Sequence, residues 1–212
     1  MPNWSEGLIY LGENQYGFSR TALGFPSISG CRAIVYQTSR GLFGFHQASG
    51  AVSDNFARFS AKFAGFVSGH SQGAGHDRTP HSGLNMYVAA KVGMGGSYSF
   101  GKEASEHLAE IKAFASALRF TGQVSSYNLA TNWSGPGVYV EVKVAAGVCE
   151  MFANPWVEHH DESHKGPVDG LRLADHKQSY PPKDEFFVPT KVFIKVDITG
   201  RQRIDPIVLD MR

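Results

Sequence analysis

The feature that most constrains the fold is a pair of short apolar segments separated by a polar turn. Residues 33–35, Ala-Ile-Val, form an apolar run that predicts a buried strand, and residues 42–46, Leu-Phe-Gly-Phe-His, predict its antiparallel neighbour. Residues 38–41, Thr-Ser-Arg-Gly, form the turn between them. An antiparallel hairpin brings the start of its first strand beside the end of its second. We therefore expect the side chains of Cys31 and His46 to lie within reach of each other.

A cysteine beside a histidine is the smallest set of side chains that can make a thiolate nucleophile. A free thiol is mostly protonated at neutral pH, and a neighbouring imidazole takes the proton and stabilises the anion. Gly30 has no Cβ, so a substrate can approach Cys31 closely, and the backbone N–H groups of both residues can bind an oxyanion. The alternative is that Cys31 is an unreactive buried cysteine, as is common at the head of an apolar strand.

The segment Ile28-Ser29-Gly30-Cys31 followed by His46 resembles the Leu-Ser-Gly-Cys motif and downstream histidine of the cytotoxic necrotizing factor family of bacterial toxins. That family includes Burkholderia lethal factor and is similar in fold to the chemoreceptor glutamine deamidases. The resemblance implies a virulence effector that deamidates a glutamine of a host target protein, with transglutamination left open as a side activity. It implies Cys31 as nucleophile and His46 as base, with no cofactor and no metal.

The same resemblance points to residues that support the pair. Gly30, Ser29 and Ser27 are implied as oxyanion-binding or supporting residues. Phe25 stands where some family members carry a threonine six residues before the cysteine. A phenylalanine cannot orient an imidazole by hydrogen bonding, so this third function is left to a backbone carbonyl, Ser27, Ser29 or Thr21.

The chain as a whole sets the broad class of protein. With 212 residues, 42% of them hydrophobic, it can bury a substantial core, and we interpret residues 1–212 as a single catalytic domain. A net charge of +1 and a pI near 7.8 give no signature of nucleic-acid binding, and no apolar run reaches membrane-spanning length. Two cysteines are too few for a disulfide scaffold. We expect a monomer that acts in the target-cell cytosol and is cytoplasmic or secreted without a cleaved signal peptide.

The order of predicted elements indicates the fold class. Strands are expected near residues 8–11, 31–36, 42–46, 84–92, 121–129, 138–144, 148–152, 186–198 and 204–209, with a loop at 12–27. Helical spacing of Phe56, Phe59, Phe63 and Phe66 predicts a helix from about Ser53, and residues 102–118 predict a second. Valines alternate in residues 138–144, so one face of that strand is expected to be buried and the other solvated. We interpret the chain as α+β, a mixed or largely antiparallel sheet or sandwich with two helices packed against it.

Two loops rich in histidine leave other functions open. Residues 69–83 carry His70, His76, Asp77 and His81, and residues 154–183 carry His159, Asp161 and His164. Imidazole and carboxylate groups suit zinc, but the spacings match no ligand signature, so we interpret these as solvated side chains. One alternative is a metal-dependent enzyme in which a loop histidine joins Cys31 and His46. The other is a non-catalytic protein-binding module that uses residues 154–183 to bind its partner.

Overall fold

The structure, a computed structural model, describes residues 4–5, 9–47, 55–73, 83–93, 104–133, 137–156, 196–197 and 202–211. They contain helices α1 (Asn55–Gly73) and α2 (Ala104–Ala117) and a 3₁₀ turn at Leu129–Thr131. The strands are β1 (Trp4–Ser5), β2 (Ile9–Tyr10), β3 (Tyr16–Ser19), β4 (Ala22–Ile28), β5 (Arg32–Thr38), β6 (Gly41–Gln47), β7 (Gly83–Ala90), β8 (Gln123–Asn128), β9 (Gly137–Ala145), β10 (Val148–Trp156), β11 (Val196–Asp197), β12 (Gln202–Arg203) and β13 (Ile207–Asp210).

Most of the described strands belong to two mixed sheets. One has five strands in the order β12-β10-β9-β4-β2, and the other has six in the order β13-β8-β7-β5-β6-β3. The pairs β2–β4 and β7–β8 are parallel and the other pairs are antiparallel. A separate two-stranded ribbon joins β1 to β11. The predicted α+β class, with two helices packed on a mixed and largely antiparallel sheet structure, is confirmed.

Two apolar cores hold three layers together. The first lies between the sheets and includes Leu23 and Val140 of the five-stranded sheet and Val35 of the six-stranded sheet. The second lies between the six-stranded sheet and the helices, where Phe63 of α1 and Phe114 of α2 pack on that sheet. The six-stranded sheet is thus covered on both faces. This explains why its central strands are apolar at successive positions.

The central hairpin of β5 and β6 forms as predicted. Ala33 and Val35 point into the core between the sheets, while Ile34 and Tyr36 point toward the helices. Every residue of both strands is buried. The phenylalanine stripe of α1 also packs as core, with Phe56 and Phe63 buried and Phe59 and Phe66 half-buried.

Several predicted boundaries are wrong. Residues 12–27 are not one loop, because β3 and most of β4 lie there and place alternate apolar side chains in the two cores. Helix α1 continues through residue 73, so residues 69–73 are helical and not part of the predicted loop at 69–83. Strand β10 continues through Asn154 to Trp156. Strand β8 ends at Asn128, and β13 begins only at Ile207.

The prediction that one face of residues 138–144 is exposed to solvent is also wrong over most of β9. Tyr139 and Glu141 are only 1% and 2% exposed, and the tyrosine hydroxyl lies 3.1 Å from Glu141 Oε2. Tyr10 packs against Tyr139 with ring centroids 6.0 Å apart. Polar side chains can be buried here because they hydrogen-bond one another.

Candidate active site

The register of the hairpin places Cys31 and His46 on one face of the six-stranded sheet. Ala33 lies directly opposite His46, and directly opposed residues point to the same face. Cys31 precedes Ala33 by two positions, so it shares that face, and both Cys31 and Ala33 belong to the core between the sheets. Cys31 and His46 are each 1% exposed. Cys31 and His46 therefore lie on the same face at one end of the hairpin, and contact between the thiol and the imidazole stays a prediction.

A backbone carbonyl fixes the imidazole ring. His46 Nδ1 lies 2.6 Å from the carbonyl oxygen of Leu11, and because a carbonyl can only accept, Nδ1 carries the proton. In the neutral ring the lone pair is then on Nε2. Phe25 packs edge-on against the ring, with centroids 6.2 Å apart. Of the groups considered for the third function, the carbonyl is the one that contacts Nδ1, whereas Thr21 is exposed.

A tight turn positions that carbonyl. The Gly12 N–H donates to Gln15 Oε1 at 2.8 Å, and the Gln15 N–H donates to the Gly12 carbonyl at 3.0 Å. Asn14 adopts a left-handed conformation, with φ of 61°, which asparagine tolerates well. The turn is tied to β6 by backbone hydrogen bonds from Asn14 N–H to His46 O and from His46 N–H to Gln15 O, 2.7 and 2.9 Å long. Residues 11–15 and His46 therefore form one rigid unit.

The same turn contributes Glu13 to the thiol. Cys31 Sγ donates to Glu13 Oε1 at 3.4 Å. Glu13 is an exposed residue, whereas Cys31 is almost fully buried. The thiol therefore lies only one side chain below the protein surface on this side. Sequence reasoning missed both residues, because Leu11 acts through its backbone carbonyl and Glu13 is brought to Cys31 by a turn that folds back on β6.

The other residues implied by the motif lie at the bend between β4 and β5. The pairing of β4 with β9 shifts between Phe25 and Ile28, and Ser27 within this irregularity has a φ of 55°. Ser27 and Ser29 are half-buried and Gly30 is buried. The Gly30 carbonyl accepts a hydrogen bond of 3.0 Å from Arg32 Nη1. Roles for Gly30, Ser29 and Ser27 in binding an oxyanion stay predictions.

A buried polar cluster lies on the opposite face of the hairpin, toward α2. Arg32 forms an ion pair with Glu110, and these side chains are 2% and 1% exposed. Gln47 lies directly opposite Arg32 in the ladder and is also fully buried. Burial raises the pKa of Glu110, and the guanidinium of Arg32 opposes that change. His107 lies nearby with Nε2 2.9 Å from the Ser126 hydroxyl, and burial lowers its pKa to about 4. The sequence analysis assigned no role to this cluster.

The second cysteine differs from the first. Cys149 of β10 is half-buried at the border of the core between the sheets, and it hydrogen-bonds Tyr87. Burial raises the pKa of Cys149 to about 11. Both cysteines are free thiols, so no disulfide joins them. Cys149 is therefore an internal reference for an unactivated thiol.

Most of the histidines that could bind a metal belong to the two segments predicted as loops. His76, Asp77 and His81 and His159, Asp161 and His164 lie outside the described residues, as does the side chain of His70. In the part of the chain that the structure describes, no three histidine, cysteine, aspartate or glutamate residues cluster as metal ligands. Among the helices described, none has the length and apolar character needed to span a membrane.

Comparison with known proteins does not assign the chain to a family. No protein-family model matches it, and no curated protein matches it with significant sequence similarity. The resemblance described above therefore depends on residues 28–31 and His46. Function has to be argued from the geometry of this site.

Proposed function

We propose that the protein is a cysteine-dependent protein-glutamine deamidase. The observation that carries the proposal is the hydrogen bond between His46 Nδ1 and the Leu11 carbonyl, on the face of the sheet that also holds Cys31. This contact fixes the tautomer in which Nε2 is the ring nitrogen that can accept a proton from a thiol. The motif resemblance supports glutamine as the substrate side chain, in a protein of a target cell.

The reaction would proceed through a thioester. His46 Nε2 takes the proton of Cys31, and the thiolate attacks the carboxamide carbon of glutamine. Backbone N–H groups of Gly30 and Cys31 hold the oxyanion of the tetrahedral intermediate. When that intermediate collapses, the C–N bond breaks and the protonated His46 gives its proton to the departing ammonia. Water activated by His46 then hydrolyses the thioester to glutamate, and an amine in place of water would give transglutamination.

Glu13 marks the side from which a substrate would enter. Its carboxylate contacts the thiol while the residue as a whole is exposed, so a carboxamide that displaces Glu13 reaches Sγ directly. The displaced carboxylate can then accept a hydrogen bond from the carboxamide NH₂ group, which a carboxylate substrate or product lacks. The site is therefore expected to bind the glutamine side chain more tightly than the glutamate product.

The proposal is tested by incubating cell-lysate proteins with the purified protein and mapping modified peptides by mass spectrometry. We expect ammonia release together with conversion of glutamine to glutamate at one site of one target. Cys31→Ser and His46→Asn are the matched variants, since each nearly preserves shape, and the asparagine can still donate to the Leu11 carbonyl. Each should reduce turnover by about a thousandfold or more. Full ammonia release by either variant would disprove the assignment.

One observation favours a second candidate, a non-catalytic binding module. Cys31 is 1% exposed and packs with the apolar core between the sheets, as an unreactive structural cysteine would. In that case ammonia release from lysate proteins would not exceed that of Cys31→Ser, and a partner would bind both forms equally. Pull-down with both forms, combined with the ammonia assay, separates the two candidates.

A further inference from the structure

The proposed reaction makes no use of the buried ion pair behind the nucleophile. Arg32 is the residue after Cys31, and in a strand its side chain points to the opposite face, toward α2. There it pairs with Glu110 of that helix, and both side chains are at least 98% buried. Gln47, also buried, lies directly opposite Arg32 in the ladder. A charged network thus lies directly beneath the proposed site.

Stability alone does not account for this ion pair. Removing two charges from water costs several kcal/mol per ion, and replacement of such pairs by apolar side chains is often neutral or stabilising. The ion pair lies on the face of the sheet that also carries the apolar core between the sheet and the helices, which includes Phe114 of α2.

The other contact of the guanidinium is with the backbone of the nucleophile. Arg32 Nη1 donates to the carbonyl of Gly30 at 3.0 Å. That carbonyl and the N–H of Cys31 belong to one planar trans peptide, in which C=O and N–H point in opposite directions. Fixing the carbonyl toward Arg32 therefore directs the Cys31 N–H away from it. Gly30 has no Cβ, so few steric contacts restrict its backbone angles. The hydrogen bond from Arg32 therefore restricts the orientation of this peptide more than it would at another residue.

We propose that Arg32, held by Glu110, is a positioning residue that fixes the Gly30–Cys31 peptide and with it the oxyanion-binding N–H group. The inference rests on the proposed deamidase function and extends it to the far side of the sheet. The planar guanidinium is suited to this task because its fork engages Glu110 and the Gly30 carbonyl at the same time. A lysine ammonium is a single point charge and would lose one of the two partners.

Arg32→Lys is accordingly the decisive variant, and Arg203→Lys is its matched control. Arg203 forms an exposed ion pair with Glu150, with Nη1 and Oε1 3.0 Å apart and the arginine 62% exposed. We expect Arg32→Lys to lower kcat for the glutamine target by about tenfold to hundredfold with KM nearly unchanged, because the oxyanion contact exists only in the transition state. Alkylation of Cys31 by iodoacetamide should change by less than about twofold, because that displacement forms no oxyanion. The control should change none of these values.

A merely structural role gives a different pattern. If Arg32 only stabilised the fold, kcat would fall in proportion to the folded fraction and alkylation of the buried thiol would rise. If wild type releases ammonia and Arg32→Lys has the same kcat, the inference is overturned while the proposed function stays intact. Absence of ammonia release by wild type would instead disprove the function.

A measurement without substrate keeps the two failures separate. In the ¹⁵N-labelled full-length protein, Arg32→Lys should shift the Cys31 amide resonance and speed its hydrogen exchange, whereas Arg203→Lys should not. If Arg32→Lys does not fold, Glu110→Gln, which keeps a hydrogen-bond acceptor for Arg32, should show the same changes to a smaller degree. A Cys31 amide that is identical in the folded variant and wild type would show that Arg32 does not orient this peptide.

Discussion

Protonation of His107 should destabilise the folded protein. The side chain is 7% exposed, and Nε2 lies 2.9 Å from the Ser126 hydroxyl. Burial, and to a lesser degree the nearby Arg32 guanidinium, lower the pKa of His107 from 6.5 to about 4. Between these values the unfolded chain binds a proton that the folded protein does not bind. The contribution of neutral His107 to the free energy of unfolding is present above pH 6.5 and is lost as the pH falls toward 4.

The size of this loss follows from the two pKa values. The difference between 6.5 and about 4 corresponds to about 3 kcal/mol at full protonation and to about 2 kcal/mol at pH 5. His107→Gln is the matched variant, because its amide can still reach Ser126 but does not titrate. Urea unfolding at pH 7 and pH 5 should show wild type losing about 2 kcal/mol more than the variant. Burial raises the pKa of Glu110, so this group acts in the opposite direction, but it is present in both proteins. Equal losses would refute the reasoning.

Three further predictions concern the site and its packing. Glu13→Gln removes a negative charge beside the thiol that costs the thiolate about 1 kcal/mol, so iodoacetamide should modify Cys31 about fivefold faster at neutral pH; a slower reaction would contradict this. Gly44→Ala would place a Cβ 2.6 Å from Leu23 Cδ1 inside the core, so urea unfolding should show a free energy of unfolding lower by about 1–3 kcal/mol. Gly65→Ala in α1 would place a Cβ with no neighbouring atom within 4 Å, so the free energy of unfolding should rise by up to about 1 kcal/mol. Free glutamine should be turned over at least about a hundredfold less efficiently than the target protein in an ammonia assay, because it lacks remote contacts that position its carboxamide; equal efficiencies would show that no docking surface exists.

The hairpin of β5 and β6 can be predicted from the sequence because its two strands are adjacent in the chain. Residues 33–35 and 42–46 are apolar on both faces, and one short turn connects them, so the register that opposes Ala33 and His46 follows from adjacent segments. The helices are equally local, since their apolar residues recur at helical spacing. The hairpin and α2 have nearly the predicted bounds, whereas α1 continues to residue 73, beyond its predicted end.

The parts that were missed depend on distant contacts. Strand β4 contains Gly24 and Pro26, which weaken the strand signal. Strand β3 pairs with β6 and β4 pairs with β9, and both partners lie farther along the chain. The Leu11 carbonyl reaches His46 only because a tight turn folds back on β6, and a carbonyl is present at every residue. The partner of Arg32 is Glu110, which lies on a helix far along the chain. From the sequence alone, Arg32 therefore looks like a charged strand residue that faces solvent.

The central claim, that His46 activates Cys31, is tested most directly by the pH dependence of cysteine alkylation. Iodoacetamide labelling of wild type and His46→Asn is followed at each cysteine by peptide mass spectrometry, with folding verified by circular dichroism. Cys149 serves as internal reference, because burial raises its pKa to about 11. We predict that Cys31 in wild type reacts at neutral pH faster than Cys149 and that His46→Asn slows Cys31 by about tenfold or more while Cys149 is unchanged. Equally slow labelling of both cysteines in wild type, or an unchanged Cys31 rate in His46→Asn, would contradict the account.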